Sequence, residues 1–227
     1  ALIGGIIGAG LVDGGPAAIQ LPGVAKVAVS LVVSPILGLV AALIAMHALL
    51  WLLRKATPRA NVALMRGQVL TAASMALANG ANDAQKTVGI VALGLVLIGY
   101  TGTFTVPWWS IALSATALGL GTAVGGGRVA RTLGSRFYHV RPIHAFSSQA
   151  SAGLVMLVAS FFGGPVSSTQ VVSLSIVGAG AAERRSKVRW GLLAEIAVAW
   201  VLTVPVSAML AMPLHAVAGA LVRQGAG

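Results

Sequence analysis

The sequence predicts an all-α, polytopic membrane protein with broken helices and a re-entrant helical hairpin. Three observations lead there. Of 227 residues, 57% are hydrophobic and only 8% charged, with a mean hydropathy of +0.93. A water-soluble domain of this length needs far more charge to solvate its surface. The apolar residues are gathered in runs of the length that crosses a bilayer, about 20 residues. The fifteen Lys and Arg lie in short clusters between those runs, against four acidic residues, Asp13, Asp83, Glu183 and Glu195. A net charge of +11 distributed this way is the pattern of loops flanking membrane spans, so it calls for a lipid bilayer and no nucleic acid.

In chain order, residues 1–12 are apolar but too short to span, and read as the remnant of a cut segment. The chain begins without Met and without the basic stretch of a signal peptide. Residues 27–53 are long enough for a tilted span, with Pro35 as a kink and Arg54-Lys55 at the end. Residues 68–100 form an apolar region interrupted at Asn79-Gly80-Ala81-Asn82-Asp83. A span follows over residues 108–124. Residues 143–182 are apolar but broken at Gly163-Gly164-Pro165, and a last span over residues 190–212 contains Pro205. The 29 glycines suit close helix packing and broken helices. The absence of Cys removes disulfides and thiolate sites.

The charges give orientation. Arg54, Lys55, Arg59 and Arg66 mark one loop; Arg128, Arg131, Arg136 and Arg141 a second; Arg184, Arg185, Lys187 and Arg189 a third. The loop over residues 99–107 has no Lys or Arg and is flanked by Tyr100, Trp108 and Trp109. The positive-inside rule places the three basic loops in the cytoplasm and this loop outside. Residues 143–182 then start and finish on the same side. Each arm is near or below the lower limit for a span, so a re-entrant hairpin with its tip at residues 163–165 is the simplest solution. Irregular backbone at that depth must be buried in protein or line a cavity.

Two constellations carry chemistry. Asn79-Gly80-Ala81-Asn82-Asp83-Ala84-Gln85-Lys86-Thr87 is too polar to face lipid, and an ionisable residue inside a span marks an ion or substrate route. Asp83 offers hard oxygens to Na⁺ or a proton. Asn79 and Asn82 serve a cation or an anion, and Gly80 is expected to let the helix unwind. Lys86 either pairs with Asp83 or carries substrate charge. In Gly163-Gly164-Pro165-Val166-Ser167-Ser168-Thr169-Gln170, Pro165 stands where a helix would start. The hydroxyls of Ser167, Ser168 and Thr169 follow it, so hydroxyl and N–H groups meet the positive end of the helix dipole in an anion-binding arrangement. Two discontinuous helices of this kind point to a transporter's substrate site. An intramembrane hydrolase is the rival class, but no general-base spacing supports it: His144 lies a full arm from Ser168. His47, His139 and His215 are scattered, and no metal or cofactor is expected from them. Glu195, inside the last span, is read as contacting a basic residue in the bundle, with a proton-linked role as the second choice.

At these residues the sequence resembles the inorganic phosphate transporter (PiT) family. Members have two G-A-N-D motifs and two P-x-S-[ST]-[TS]-[HQ] motifs, one pair in each inverted repeat. Gly80-Ala81-Asn82-Asp83-Ala84-Gln85-Lys86-Thr87 is similar to the second G-A-N-D motif in the Gln-Lys form of bacterial low-affinity permeases. Pro165-Val166-Ser167-Ser168-Thr169-Gln170 is similar to the second P-x-S-S-T motif, with Gln170 where many members have His. The resemblance covers essentially the whole chain. It implies that residues 1–25 are the end of the first-repeat hairpin and an external loop, 26–66 a linking helix and cytoplasmic loop, and 67–227 the second inverted repeat.

The resemblance further implies a multi-pass protein of the cell inner (plasma) membrane. Its expected activity is alternating-access symport of inorganic phosphate, as the free anion or as a neutral divalent-metal complex. The expected coupling cation is H⁺ in preference to Na⁺, and the expected assembly a homodimer. Ser167, Ser168, Thr169, Asn82 and Gln170 are the expected phosphate ligands; Asp83, Asn82 and Asn79 are expected to serve the cation. A sulfate permease of the same family and a non-transporting membrane scaffold are the competing readings.

Overall fold

The computed structural model describes residues 1–55, 59–136, 141–164 and 166–225. Among these it contains seven α-helices: α1 (Leu2–Gly14), α2 (Leu21–Leu52), α3 (Arg59–Leu97), α4 (Trp108–Arg136), α5 (Pro142–Phe161), α6 (Ser168–Arg184) and α7 (Trp190–Gly225). Short 3-10 turns lie at Gly15–Ala18 and Arg185–Lys187. Four helices are long and apolar enough to cross a membrane, over Leu21–Leu52, Trp108–Gly127, Pro142–Phe161 and Leu193–Gly219. Leu120, Val124, Val201 and Leu214 on two of them are exposed, a surface suited to lipid and costly in water.

The chain divides into two compact units, one of residues 1–28 with 190–227 and one of residues 29–189. In the first, α1 packs along α7. Gly4 and Gly8 are buried, and a Cβ at either would run into the α7 backbone at Val204 and Ala208. His215 and Asp13 meet there at 2.8 Å. Glu195, expected to face a bundle, is exposed on α7.

In the second unit α5 and α6 form the expected helical hairpin. α5 ends because Gly163 adopts φ +63, a left-handed conformation free of Cβ strain. Its N–H bonds Ser160 O at 3.1 Å and that of Gly164 bonds Ala159 O at 2.9 Å, the paired closing bonds of a glycine-capped helix. α3 ends the same way at Gly99, φ +73. Pro165 lies outside the described residues. α6 begins at Ser168, three residues after the proline expected to open it. With 20 residues, α5 is about 30 Å long and reaches a full span, whereas the 17-residue α6 does not.

One expectation is corrected. α3 does not unwind at Gly80: it runs unbroken for 39 residues, about 58 Å. A glycine in a helix interior costs only about 1 kcal/mol relative to alanine. Asn82, Asp83 and Lys86 of the motif find partners in the Val166 carbonyl and the Ser168 hydroxyl, so the helix need not open its own backbone bonds to satisfy them. α3 is not among the four helices that qualify as spans by apolarity.

The core of this unit has two parts. Ala78, Ala152, Met156, Val166 and Val171 pack where α3, α5 and α6 meet. Ala42, Met46 and Ala179 pack between α2 and α6. There Ser175 donates to Gly38 O at 3.1 Å, and the space for a Cβ on Gly178 is taken by the backbone of Leu39.

Candidate functional site

The unbroken α3 presents Asn79, Asp83 and Lys86 at three- and four-residue spacings, which places them along one side of the helix. Asn82 is turned into the protein and is 3% exposed. Facing them is the non-helical stretch between α5 and α6. The Val166 carbonyl, outside any helix, accepts from Lys86 Nζ at 2.6 Å and from Asn82 Nδ2 at 3.3 Å. Lys86 Nζ also pairs with Asp83 Oδ1 at 3.1 Å, and Asn82 Nδ2 lies 3.3 Å from the same oxygen. Ser168 at the start of α6 donates to the Asp83 carboxylate, 3.4 Å from Oδ2 and 3.5 Å from Oδ1.

A cavity of about 800 Å³ opens on this seam. Asn79 and Asp83 from α3 line it together with Ser168 and Thr169 from α6. Ser148 and Gln149 of α5 contribute a further polar wall, and Gly121, Thr122, Gly125 and Gly126 of α4 close it with small residues. The size falls within the range of small-ligand sites. At its edge, the first helical bond of α6 runs from Val171 N–H to Ser167 O at 3.0 Å. The preceding N–H groups of Ser168, Thr169 and Gln170 therefore have no acceptor within the helix and point along its axis, the usual condition for holding an anion. Asn79 Oδ1 is buried without a hydrogen-bond partner, an acceptor available to a ligand.

The geometry sorts the residues expected from sequence. Asn79, Asp83, Ser168 and Thr169 share the cavity. Asn82 stands behind it, bonded to Asp83 and Val166. Ser167 caps α6 in an extended conformation without a side-chain cap bond, and it is not part of the cavity lining. Gln170 is likewise outside the lining, and its Oε1 is buried without a partner. Lys86 pairs with Asp83, the first of its two expected roles, and does not line the cavity.

Sequence reasoning missed the α4 and α5 walls. The adjacent Ser147-Ser148-Gln149 inside an apolar arm and the glycines of α4 were the available signals. It also missed a cluster at the base of the hairpin. Buried His144, 1% exposed, bonds Glu183 at 2.7 Å through Nε2 and accepts the Arg141 N–H at 3.1 Å through Nδ1. The Arg141 guanidinium also bonds Glu183.

Comparison with known proteins gives this site a lineage. A family model described as the Phosphate transporter family matches residues 53–211, which include every cavity residue. A "Probable low-affinity inorganic phosphate transporter" of Rhizobium meliloti (strain 1021) is 41% identical over 212 residues, covering 92% of this chain and 64% of the relative. A protein of the same description from Bacillus subtilis (strain 168) is 35% identical over 213 residues, with the same coverage. The chain thus spans slightly less than two thirds of these relatives. Among solved structures, "The sodium-dependent phosphate transporter" has the same fold, with a TM-score of 0.83 at 23% identity, over 95% of this chain and 72% of that one. The relatives are named as transporters rather than enzymes, and none of these names supports the sulfate reading. With four helices of membrane-crossing length and composition and a match over most of its residues, this multi-pass inner-membrane chain belongs to the Phosphate transporter family.

Proposed function

We propose that the full-length protein is a symporter of inorganic phosphate that works by alternating access and is driven by H⁺ in preference to Na⁺. The observation that carries the proposal is the convergence in one cavity of Asp83 and Asn79 with the hydroxylated N-terminus of α6. In this reading phosphate sits against Ser168, Thr169 and the first N–H groups of α6, where hydroxyl donors and the helix dipole offset its charge. Phosphate at neutral pH still carries a proton to donate. An Asp83 carboxylate within reach of Ser168 Oγ gives that proton an acceptor, which a fully deprotonated sulfate could not use. Asp83, with Asn82 and Asn79 around it, serves the coupling cation. The Gln85-Lys86 form of the motif, similar to that of proton-linked permeases, favours H⁺. Residues 67–227 act as the second of two inverted repeats, and the first supplies the other half of the route.

The test is uptake of radiolabelled phosphate by the full-length protein in proteoliposomes. An inward H⁺ gradient is expected to drive accumulation, an inward Na⁺ gradient to add little, and excess sulfate to compete weakly. Absence of phosphate uptake under either gradient rejects the proposal. Block by sulfate as complete as block by unlabelled phosphate rejects the specificity.

A further inference from the structure

We infer that the Lys86 ammonium is a built-in cation at the α3–α6 seam. It occupies the oxygens that a Na⁺ ion would need, so this half of the molecule binds no Na⁺ of its own. The inference deepens the symport reading above and rests on it for its mechanistic meaning, but its test does not depend on transport.

The oxygens are those of a small-cation site. The Val166 carbonyl lies outside any helix, so its lone pairs are not committed to a helical bond, and unwound carbonyls of this kind coordinate Na⁺ in broken-helix carriers. The Asp83 carboxylate supplies charge and hard oxygen, with the Ser168 hydroxyl 3.4 Å from Oδ2. Lys86 Nζ is seated between the first two, 2.6 Å from the carbonyl and 3.1 Å from Asp83 Oδ1. Asn82, 3% exposed, donates to both of the same groups at 3.3 Å and fixes them in place.

The direction of Lys86 separates this role from direct contact with substrate. An ammonium has three donors and no acceptor, and here two donors go to Val166 and Asp83. Asp83 lines the cavity and Lys86 does not, so the positive charge stands behind the carboxylate, away from the space an anion would enter. A Na⁺ brought to these oxygens would sit about 4 Å from the ammonium. Repulsion at that distance, in a partly buried setting, weakens Na⁺ binding about a thousandfold. Removing the ammonium while keeping its oxygen partners is therefore expected to create a Na⁺ site.

The experiment counts Na⁺ bound to purified full-length protein with radiolabelled Na⁺. Lys86→Met, which keeps the apolar stem, is expected to bind one Na⁺ per chain more than wild type. Lys86→Arg, which keeps the charge, is expected to gain none. Lys86→Gln replaces Lys86→Met should the latter not give monodisperse protein. Asp83→Asn in the Lys86 background is expected to leave the count unchanged, because Asp83 holds no Na⁺ there. Equal counts in wild type and Lys86→Met, or loss of one Na⁺ in Asp83→Asn alone, would overturn the inference. Failure of wild type to move phosphate would instead sink the symport reading and leave the count to decide the role of Lys86.

Discussion

The two ends of α6 are built from similar small residues and do opposite things. At its start, Ser168 and Thr169 face a cavity, within reach of a carboxylate from α3. In its second half, Val177, Gly178 and Ala179 are buried, and Gly178 lets the backbone of Leu39 come within van der Waals distance. Small polar or flexible residues in an apolar helix thus have two meanings. Where a helix begins, they leave donors for a ligand. Along its length, they let two backbones approach and lock. Glycine shows the same division: Gly178 faces a backbone, whereas a Cβ on Gly80 would meet nothing within 4 Å. Among the described residues Gly80 thus has no backbone packed against it, although it stands in a helix as regular as α6.

The sharpest way to break the comparison is at the ligand end. Asp83→Asn keeps the size of the side chain and its bond to Ser168, and it leaves Lys86 its contact with Val166. Folding is expected to persist, and phosphate uptake in proteoliposomes is expected to fall to background. Uptake at wild-type level would remove Asp83 from the route. At the packing end, Gly178→Val drives a branched side chain into the Leu39 backbone, which cannot swing aside as a side chain would. The expected cost is about 3 kcal/mol, at the upper end for overpacking, read as a lowered thermal transition in detergent. An unchanged transition would mean that α2 and α6 are not held at this distance.

Much of this division was legible in the sequence. The apolar runs that became α2, α4 and α7 each had a basic cluster at one end. The tip of the hairpin was marked by Gly163-Gly164, and Asp83 and Ser168 stood out as polar groups in apolar surroundings. What was not legible depends on contacts between distant segments. Nothing local to Gly80 tells whether a helix unwinds there. That is decided by the Val166 carbonyl some 80 residues away, which satisfies Asn82 and Lys86 so that α3 can stay whole. The His144–Glu183 pair spans 39 positions and has no local pattern. The α4 wall was hidden because its glycines serve equally well for packing. Ser167 precedes the first turn of α6 and Gln170 lies within that turn, yet neither lines the cavity that Ser168 and Thr169 share, a division that the run of polar residues does not reveal.

Two adjacent serines sharpen the comparison furthest. Ser168 donates to Asp83 and lines the cavity, so Ser168→Ala removes a hydroxyl that meets charge on either side. A hydrogen bond to a charged group contributes about 1.5 to 3 kcal/mol, so phosphate affinity in the full-length protein is expected to fall about tenfold or more. Ser167 holds the N-cap position, where loss of a serine ordinarily costs about 1 kcal/mol through the cap bond. That bond is not made here, and the Ser167 hydroxyl lies outside the cavity lining. Ser167→Ala is therefore expected to change phosphate affinity less than about twofold, since it removes neither a donor to the ligand nor a bond that holds α6. Equal losses for the two variants would make the Ser167 hydroxyl a support of the anion alongside that of Ser168, and would overturn the distinction between them.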